Sequence, residues 1–189
     1  MRGLLMNNPL KLLIKIAKEK HIDPKWAGKP LYLIKILANT SKGDLVEDFV
    51  TDYSNALKFT AVKNPTRQGD YDVKINSQKF EVKMATEDIS GNFQFNHIRL
   101  DYRYDWLLCI GVSPSKILFQ VYSKGDLATN KAGTLVSMGR GQNSSFKLTK
   151  PKSALRPISK FKRKIQSLVG RSRKLTHKKR LKITKPKRR

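Results

Sequence analysis

Residues 69–83 constrain the fold of this chain more than any other stretch, because two short runs of alternating apolar and polar residues flank a polar turn. Alternation with a period of two is typical of β-strands, and a short polar connection joins such strands into a hairpin. Glu81 and Lys83 are two residues apart, so their side chains lie on one face of the second strand. Asp72 begins the first strand, and the turn brings it beside them. The sequence therefore predicts a hairpin on which two carboxylates and one ammonium group converge.

Two interpretations of this cluster are open from the hairpin alone. Carboxylate oxygens are ligands that hard divalent cations prefer, and a bound cation can orient and activate a water molecule. The same residue types also occur on surface hairpins as weak cross-strand ion pairs. The wider sequence favours a functional site, because a predicted helix with Glu47 precedes the hairpin and a segment with Gln94 and Arg99 follows it.

This order resembles that of the PD-(D/E)xK nucleases, in which a helix with Glu precedes Asp, then Glu-x-Lys, then a helix with Gln and Arg. The resemblance covers about residues 40–125 and is greatest to the Type II restriction endonucleases. It implies Mg²⁺-dependent, sequence-specific hydrolysis of DNA phosphodiester bonds, with Mn²⁺ able to replace Mg²⁺. It also implies a homodimer, because one site cuts one strand of a duplex, and a location in the cytoplasm of a prokaryote or phage host cell.

The resemblance further implies roles for individual residues. The metal ligands would be Asp72, Glu81 and the backbone carbonyl of Val82. The catalytic residues would be Glu47, Asp72, Glu81, Lys83 and Gln94. Among these, Lys83 would contact the scissile phosphate and the attacking water. No Pro precedes the first acid, so the first metal ligand is either Asp72 or Asp70.

Two other functions are compatible with the same residues. A Holliday-junction resolvase of the same superfamily also fits, because its pattern includes a Lys-Gly helix start like Lys42-Gly43, followed by Glu47. A non-enzymatic basic protein that binds nucleic acid would explain the charge, but not the ordered acids. The three functions differ in their expected outcome with DNA. A restriction endonuclease cleaves linear duplex, a resolvase cleaves a four-way junction, and a non-enzymatic protein binds without cleavage.

The positive charge is distributed unevenly along the chain. The 189 residues carry a formal net charge of +26, which indicates a polyanionic partner such as DNA. Residues 147–189 hold 19 of the 40 Lys and Arg residues and no acid, which leaves 21 basic and 14 acidic side chains in residues 1–146. We expect DNA contacts from Arg99, Lys160, Lys162, Arg163, Lys164, Arg171, Arg173 and Lys174.

Helix and strand patterns predict an α/β fold with a restriction-endonuclease-like central mixed sheet, flanked by helices and followed by a basic C-terminal extension. Apolar residues at helical spacing between Val46 and Leu57 predict a helix that faces the core. The continuous apolar run from Trp106 to Val112 predicts a strand that is covered on both faces. We divide the chain into an N-terminal helical leader (1–39), a nuclease core (40–146) and a highly basic nucleic-acid-binding tail (147–189), with an amphipathic helix over 157–169.

The cysteine content and hydropathy restrict the cellular context. The single cysteine, Cys109, cannot form an internal disulfide and fits a reducing cytoplasm. No apolar stretch reaches the length of a membrane span, so we expect no membrane association.

Overall fold

The structure is a computed structural model that describes residue 13 and residues 23–66, 69–139 and 145–169. Between residues 23 and 169, the α-helices are α1 (Tyr32–Ile36), α2 (Asn39–Ala56), α3 (Lys124–Ala128) and α4 (residues 161–169). Residues 1–22 of the predicted N-terminal helical leader lie outside the described residues, apart from Leu13. In the part of the chain that the structure describes, no helix combines the length and apolarity needed to cross a membrane.

In the described ranges, nine strands form two sheets. They are β1 (Ala61–Lys63), β2 (Val73–Ile75), β3 (Gln78–Thr86), β4 (Asn92–Ile98), β5 (Trp106–Ser113), β6 (Lys116–Ser123), β7 (Leu135–Ser137), β8 (Phe146–Pro151) and β9 (Arg156–Pro157). The larger sheet has the order β1-β2-β3-β5-β6-β9, and β3 and β5 are its parallel pair. The smaller, antiparallel sheet has the order β4-β8-β7. The predicted α/β class with a central mixed sheet is confirmed.

The larger sheet is covered on both faces by different layers. On one face, Phe80 and Val82 pack with apolar residues of α2 and α4. On the other face, Leu107 and Cys109 pack with Phe93 and other residues of the smaller sheet. Strand β5 contributes to both clusters, as the continuous apolar run predicts. The second face is thus covered mainly by a three-stranded sheet.

Helix α2 confirms the predicted apolar stripe, since Val46 and Val50 are buried and Phe49, Tyr53 and Leu57 pack against them. The helix begins at Asn39, and its N-cap residue, Ala38, makes no side-chain cap. A capping box instead begins α3, where Ser123 and Asp126 each accept a hydrogen bond from the other's backbone N–H.

The leader and the start of the tail take part in the folded core. Trp26 is fully buried, and its indole donates a hydrogen bond to the backbone of Glu87 at 3.3 Å. The carboxylate of Glu87, itself buried, pairs with Lys25 at 3.4 Å and with Lys152 at 2.9 Å. The boundary predicted between residues 146 and 147 falls inside β8, and α4 buries Phe161, Ile165 and Leu168 in the main core.

Candidate active site

The predicted hairpin is present and its register brings the two acids together. Strands β2 and β3 pair antiparallel with Val73 opposite Phe80, joined by a two-residue turn at Asn76-Ser77. Asn76 has a φ of 53°, a left-handed conformation that Asn adopts more readily than most residues. The backbone N–H of Asp72 donates to the carbonyl of Phe80 at 2.9 Å, which extends the ladder by one step. Asp72 therefore lies opposite Glu81.

Asp72, Glu81 and Lys83 form one contact cluster. The ammonium Nζ of Lys83 lies 2.5 Å from Glu81 Oε1 and 3.6 Å from Asp72 Oδ2. Asp72 Oδ2 also accepts a hydrogen bond from the backbone N–H of Val82 at 2.7 Å. That bond fixes the orientation of the Asp72 carboxylate toward β3. Asp70 lies apart from this cluster, with its carboxylate 3.7 Å from exposed Arg103.

The cluster occupies an open edge of the larger sheet. Strand β2 pairs with β3 only as far as Phe80, while β3 continues to Thr86, so among the described residues the second half of β3 has no neighbouring strand on that side. Helix α2 and strand β4 approach this edge from opposite faces. A pocket of about 240 Å³ forms between them, and Glu47, Val82, Lys83 and Gln94 are among its lining residues. The structure thus brings all five predicted catalytic residues to one edge of β3.

Glu81 is held in an environment that penalises its charge. Its side chain is 2% exposed, and burial, opposed by Lys83, raises the pKa of its carboxyl to about 7. One carboxylate oxygen, Oε2, is buried and has no hydrogen-bond partner among the described residues. Buried carboxylate oxygens are normally satisfied by donors or cations, so this atom indicates a place for an additional ligand.

The other two charged groups respond to the same environment. Burial by itself would lower the pKa of Lys83, but the carboxylates of Glu81 and Asp72 outweigh it and raise that pKa, so Lys83 is an ammonium ion at neutral pH. Burial and the Asp72 carboxylate raise the pKa of Glu47, whose Oε2 lies 3.3 Å from Lys63 Nζ. Sequence reasoning did not find Lys63, which lies on β1 without a motif to mark it.

The donor set fits a small divalent cation. Asp72 and Glu81 supply carboxylate oxygens. In a β-strand, the backbone N–H and C=O of one residue point to the same side. Because the Val82 N–H donates to Asp72, the Val82 carbonyl is also directed toward Asp72. In the described residues, no three Asp, Glu, His or Cys side chains form a ready metal-binding group. Mg²⁺ is commonly held by one or two carboxylates and keeps several waters, so two acids and one carbonyl are chemically sufficient.

A second, larger cleft adjoins the cluster on the side of β1. It measures about 800 Å³ and shares Glu47 and Gly43 with the smaller pocket. Its lining includes four acids in a chain that has only 14, together with Lys63. Residues of the N-terminal half of α2 line both cavities, and Asp72 lines the larger one while Lys83 lines the smaller one.

The predicted DNA-binding residues occupy three different situations. Arg99 pairs with Asp101, at 2.7 Å between Nη2 and Oδ2, and its guanidinium lies 4.6 Å from the ring centroid of Tyr102. On and just before α4, Lys160, Lys162 and Arg163 are exposed and Lys164 is half-buried. Arg171, Arg173 and Lys174 lie outside the described residues. The segment with Gln94 and Arg99, expected as a helix by resemblance, is strand β4 followed by a loop.

Comparisons with known proteins add little to this geometry. No protein-family model and no curated protein matches the sequence. Among solved structures, the fold is similar to that of a bacterial homing endonuclease, I-Ssp6803I, with a TM-score of 0.41 and 14% sequence identity. The match covers 60% of this chain and 75% of that one. Similarity at this level assigns no function.

Proposed function

We propose that this protein is a Mg²⁺-dependent endonuclease that hydrolyses phosphodiester bonds in DNA, and that it is sequence-specific in the manner of a restriction enzyme. The observation that carries the proposal is the contact of Asp72, Glu81 and Lys83 at an open strand edge, with a buried Glu81 oxygen left without a partner. Burial of a carboxylate in this way would add little stability to a purely structural ion pair, because the cost of desolvating the charges opposes the pairing.

Asp72, Glu81 and the carbonyl of Val82 would hold the metal ion. When bound, Mg²⁺ acts as a Lewis acid on the phosphoryl group and lowers the pKa of coordinated water. Mn²⁺, which prefers similar oxygen ligands, is expected to replace it. The hydrogen bond from the Val82 N–H to Asp72 keeps one ligand oriented before any substrate arrives.

Lys83 would act on the substrate directly. Its ammonium group is positioned by two carboxylates and stays protonated at neutral pH. A phosphate oxygen at the same edge would replace part of that interaction, so Lys83 neutralises charge that builds up as the phosphodiester bond breaks. Glu47 and Gln94 line the pocket on either side, where they can orient water molecules at the reacting phosphate.

DNA is the favoured substrate because of the charge of the chain. A formal charge of +26 favours a polyanion, and α4 exposes basic side chains on the folded domain. A single site would cut one strand, so cleavage of a duplex calls for a homodimer or for two successive encounters.

The direct test is cleavage of a supercoiled plasmid and of a synthetic four-way junction, with and without Mg²⁺, by the wild-type protein and by Glu81→Gln and Lys83→Ala. The proposal is supported if the wild-type protein produces discrete fragments only when the metal is present and both variants fail to produce them. Junction cleavage with an intact plasmid identifies a resolvase instead. Binding of DNA without cutting in Mg²⁺ or Mn²⁺ rejects the enzyme and leaves a basic DNA-binding protein.

A further inference from the structure

The outer face of the smaller sheet carries a compact group of polar side chains. Alternation along β4 and β8 turns Phe95 and Leu148 inward and leaves the residues between them outward. The outward residues form two cross-strand rows. The first row pairs Gln94 with Thr149, and the second contains Asn96, Lys147 and Val136.

A β-bulge shapes the second row. The register of β4 against β8 shifts by one residue between Phe95 and Ile98, so Asn96 and His97 together lie opposite Lys147. His97 has a φ of 57°, a conformation that non-glycine residues seldom adopt. The bulge leaves both side chains exposed, and bulges commonly re-aim side chains beside active sites.

The hydrogen-bonding groups of this face are available for a partner. In the described part of the chain, the side chains of Gln94, Asn96, Lys147 and Thr149 make no hydrogen bond or ion pair. The three strands β4, β7 and β8 contain no acid, although the nearby cleft is lined by four. The face therefore combines amide and hydroxyl groups, one positive charge and an apolar Val136 that is 50% exposed.

We propose that the outer face of β4, β8 and β7 contacts base edges in the major groove of duplex DNA, with Asn96, Lys147 and Thr149 as specificity-determining residues. The inference takes DNA as the partner from the proposed function. Three strands at about 4.8 Å spacing span about 10 Å, which matches the roughly 12 Å width of the major groove. A-form RNA offers no such surface, because its major groove is too narrow for side chains to enter.

The residue types suit the chemistry of base edges. Asn can bond both N6 and N7 of adenine, Lys donates to O6 and N7 of guanine, and the methyl groups of Thr and Val contact the thymine methyl. The location is also suitable, because Gln94, Asn96 and His97 line the same pocket as Glu47 and Lys83. Base recognition would thus take place beside the phosphate that is cleaved.

The test is a binding selection, which does not require cleavage. Full-length Glu81→Gln protein is incubated with a randomised pool of DNA duplexes in Mg²⁺, and the retained duplexes are sequenced. The same background then carries Asn96→Ala, Thr149→Ala or Lys147→Gln. We expect a defined motif, and each substitution should reduce discrimination at its own base position by about 5-fold to 150-fold, with affinity for unselected DNA little changed.

A matched control separates base contacts from charge. Lys116→Gln removes the charge of an exposed lysine at the start of β6, on the other sheet, and should leave the motif unaltered. If Lys147→Gln and Lys116→Gln weaken binding equally on all sequences, or if no motif is selected, the inference is overturned. A third outcome is that a motif is selected and depends on these residues, but the wild-type protein never cuts DNA. That result would retain the inference and reject the proposed nuclease activity.

Discussion

At the scale of single residues, strand register determines which of two acids lies in the candidate site. Asp70 and Asp72 are two positions apart, so alternation alone puts both on the same face and the sequence leaves both as candidates. The turn at Asn76-Ser77 fixes the register, and the register sets Asp72 against Glu81. The residue types of the site were thus predictable from the sequence, whereas the choice between the two acids depends on a pairing between strands.

We expect Asp72→Asn and Asp70→Asn to differ sharply in metal-dependent cleavage. Asp72→Asn removes a carboxylate 3.6 Å from Lys83 and should lower the rate by at least about 100-fold, the scale seen when one stabilising group is lost from an active site. Asp70→Asn removes only an exposed partner of Arg103 and should cut near the wild-type rate. Single-turnover cleavage of plasmid measures both, and equal losses would contradict this assignment.

The Glu81 carboxyl should give the metal-free protein an unusual pH dependence. Its pKa is raised from 4.5 to about 7 by burial, so between those values the folded protein binds more protons than the unfolded chain. The free energy of unfolding should therefore fall as pH rises through this window, by about 3 kcal/mol if Glu81 acts alone.

Urea denaturation in EDTA at pH 4.5, 6 and 8 measures this dependence. The Glu81→Gln variant, which cannot titrate at this position, should show a flatter profile over the same range. A wild-type profile parallel to that of the variant would show that Glu81 titrates normally.

At the scale of elements, local patterns identified the long and strongly patterned segments. Helix α2 and the hairpin were predicted from their apolar periods, and β5 was predicted from its continuous apolar run. Strand β4 also alternates, with Phe93 and Phe95 inward, but the resemblance favoured a helix there. The pairing of β4 with β8 joins segments about 50 residues apart, and no local pattern specifies such a contact.

Helix α4 was predicted as a helix, but its high Lys content suggested that it belonged to a separate tail. The ring of Phe161 instead lies 5.3 Å from that of Phe119 and 5.4 Å from that of Tyr53, measured between centroids. We expect Phe161→Ala to lower the free energy of unfolding by about 3–5 kcal/mol through the cavity it leaves. The exposed neighbour Lys162→Ala should change it by less than about 0.5 kcal/mol. Urea denaturation of both would show whether α4 belongs to the cooperative core.

At the scale of the whole molecule, the two signs of charge have different locations. The acids of the candidate site lie along α2 and the hairpin, where the proposed cation and phosphate would meet. Basic residues dominate the end of the chain, with 11 Lys and Arg among residues 171–189. Sequence composition predicted this separation directly, because charge counts do not depend on tertiary contacts.

Deletion of residues 170–189 should therefore separate DNA affinity from catalysis. Every predicted catalytic residue and the buried face of α4 precede the deletion, so the shortened protein should fold and should still cut DNA in Mg²⁺ at low salt. Its binding should depend less on salt, because each lost phosphate contact reduces the slope of log K against log salt by about 0.9. Four lost contacts among the 11 basic residues would lower the slope by about 3.6.

Fluorescence anisotropy between 50 and 200 mM salt measures the slope. As a control, a full-length chain with those 11 residues changed to Gln should behave like the deletion. An unchanged slope would mean that the folded domain supplies the phosphate contacts, with the exposed basic residues of α4 as the first to examine.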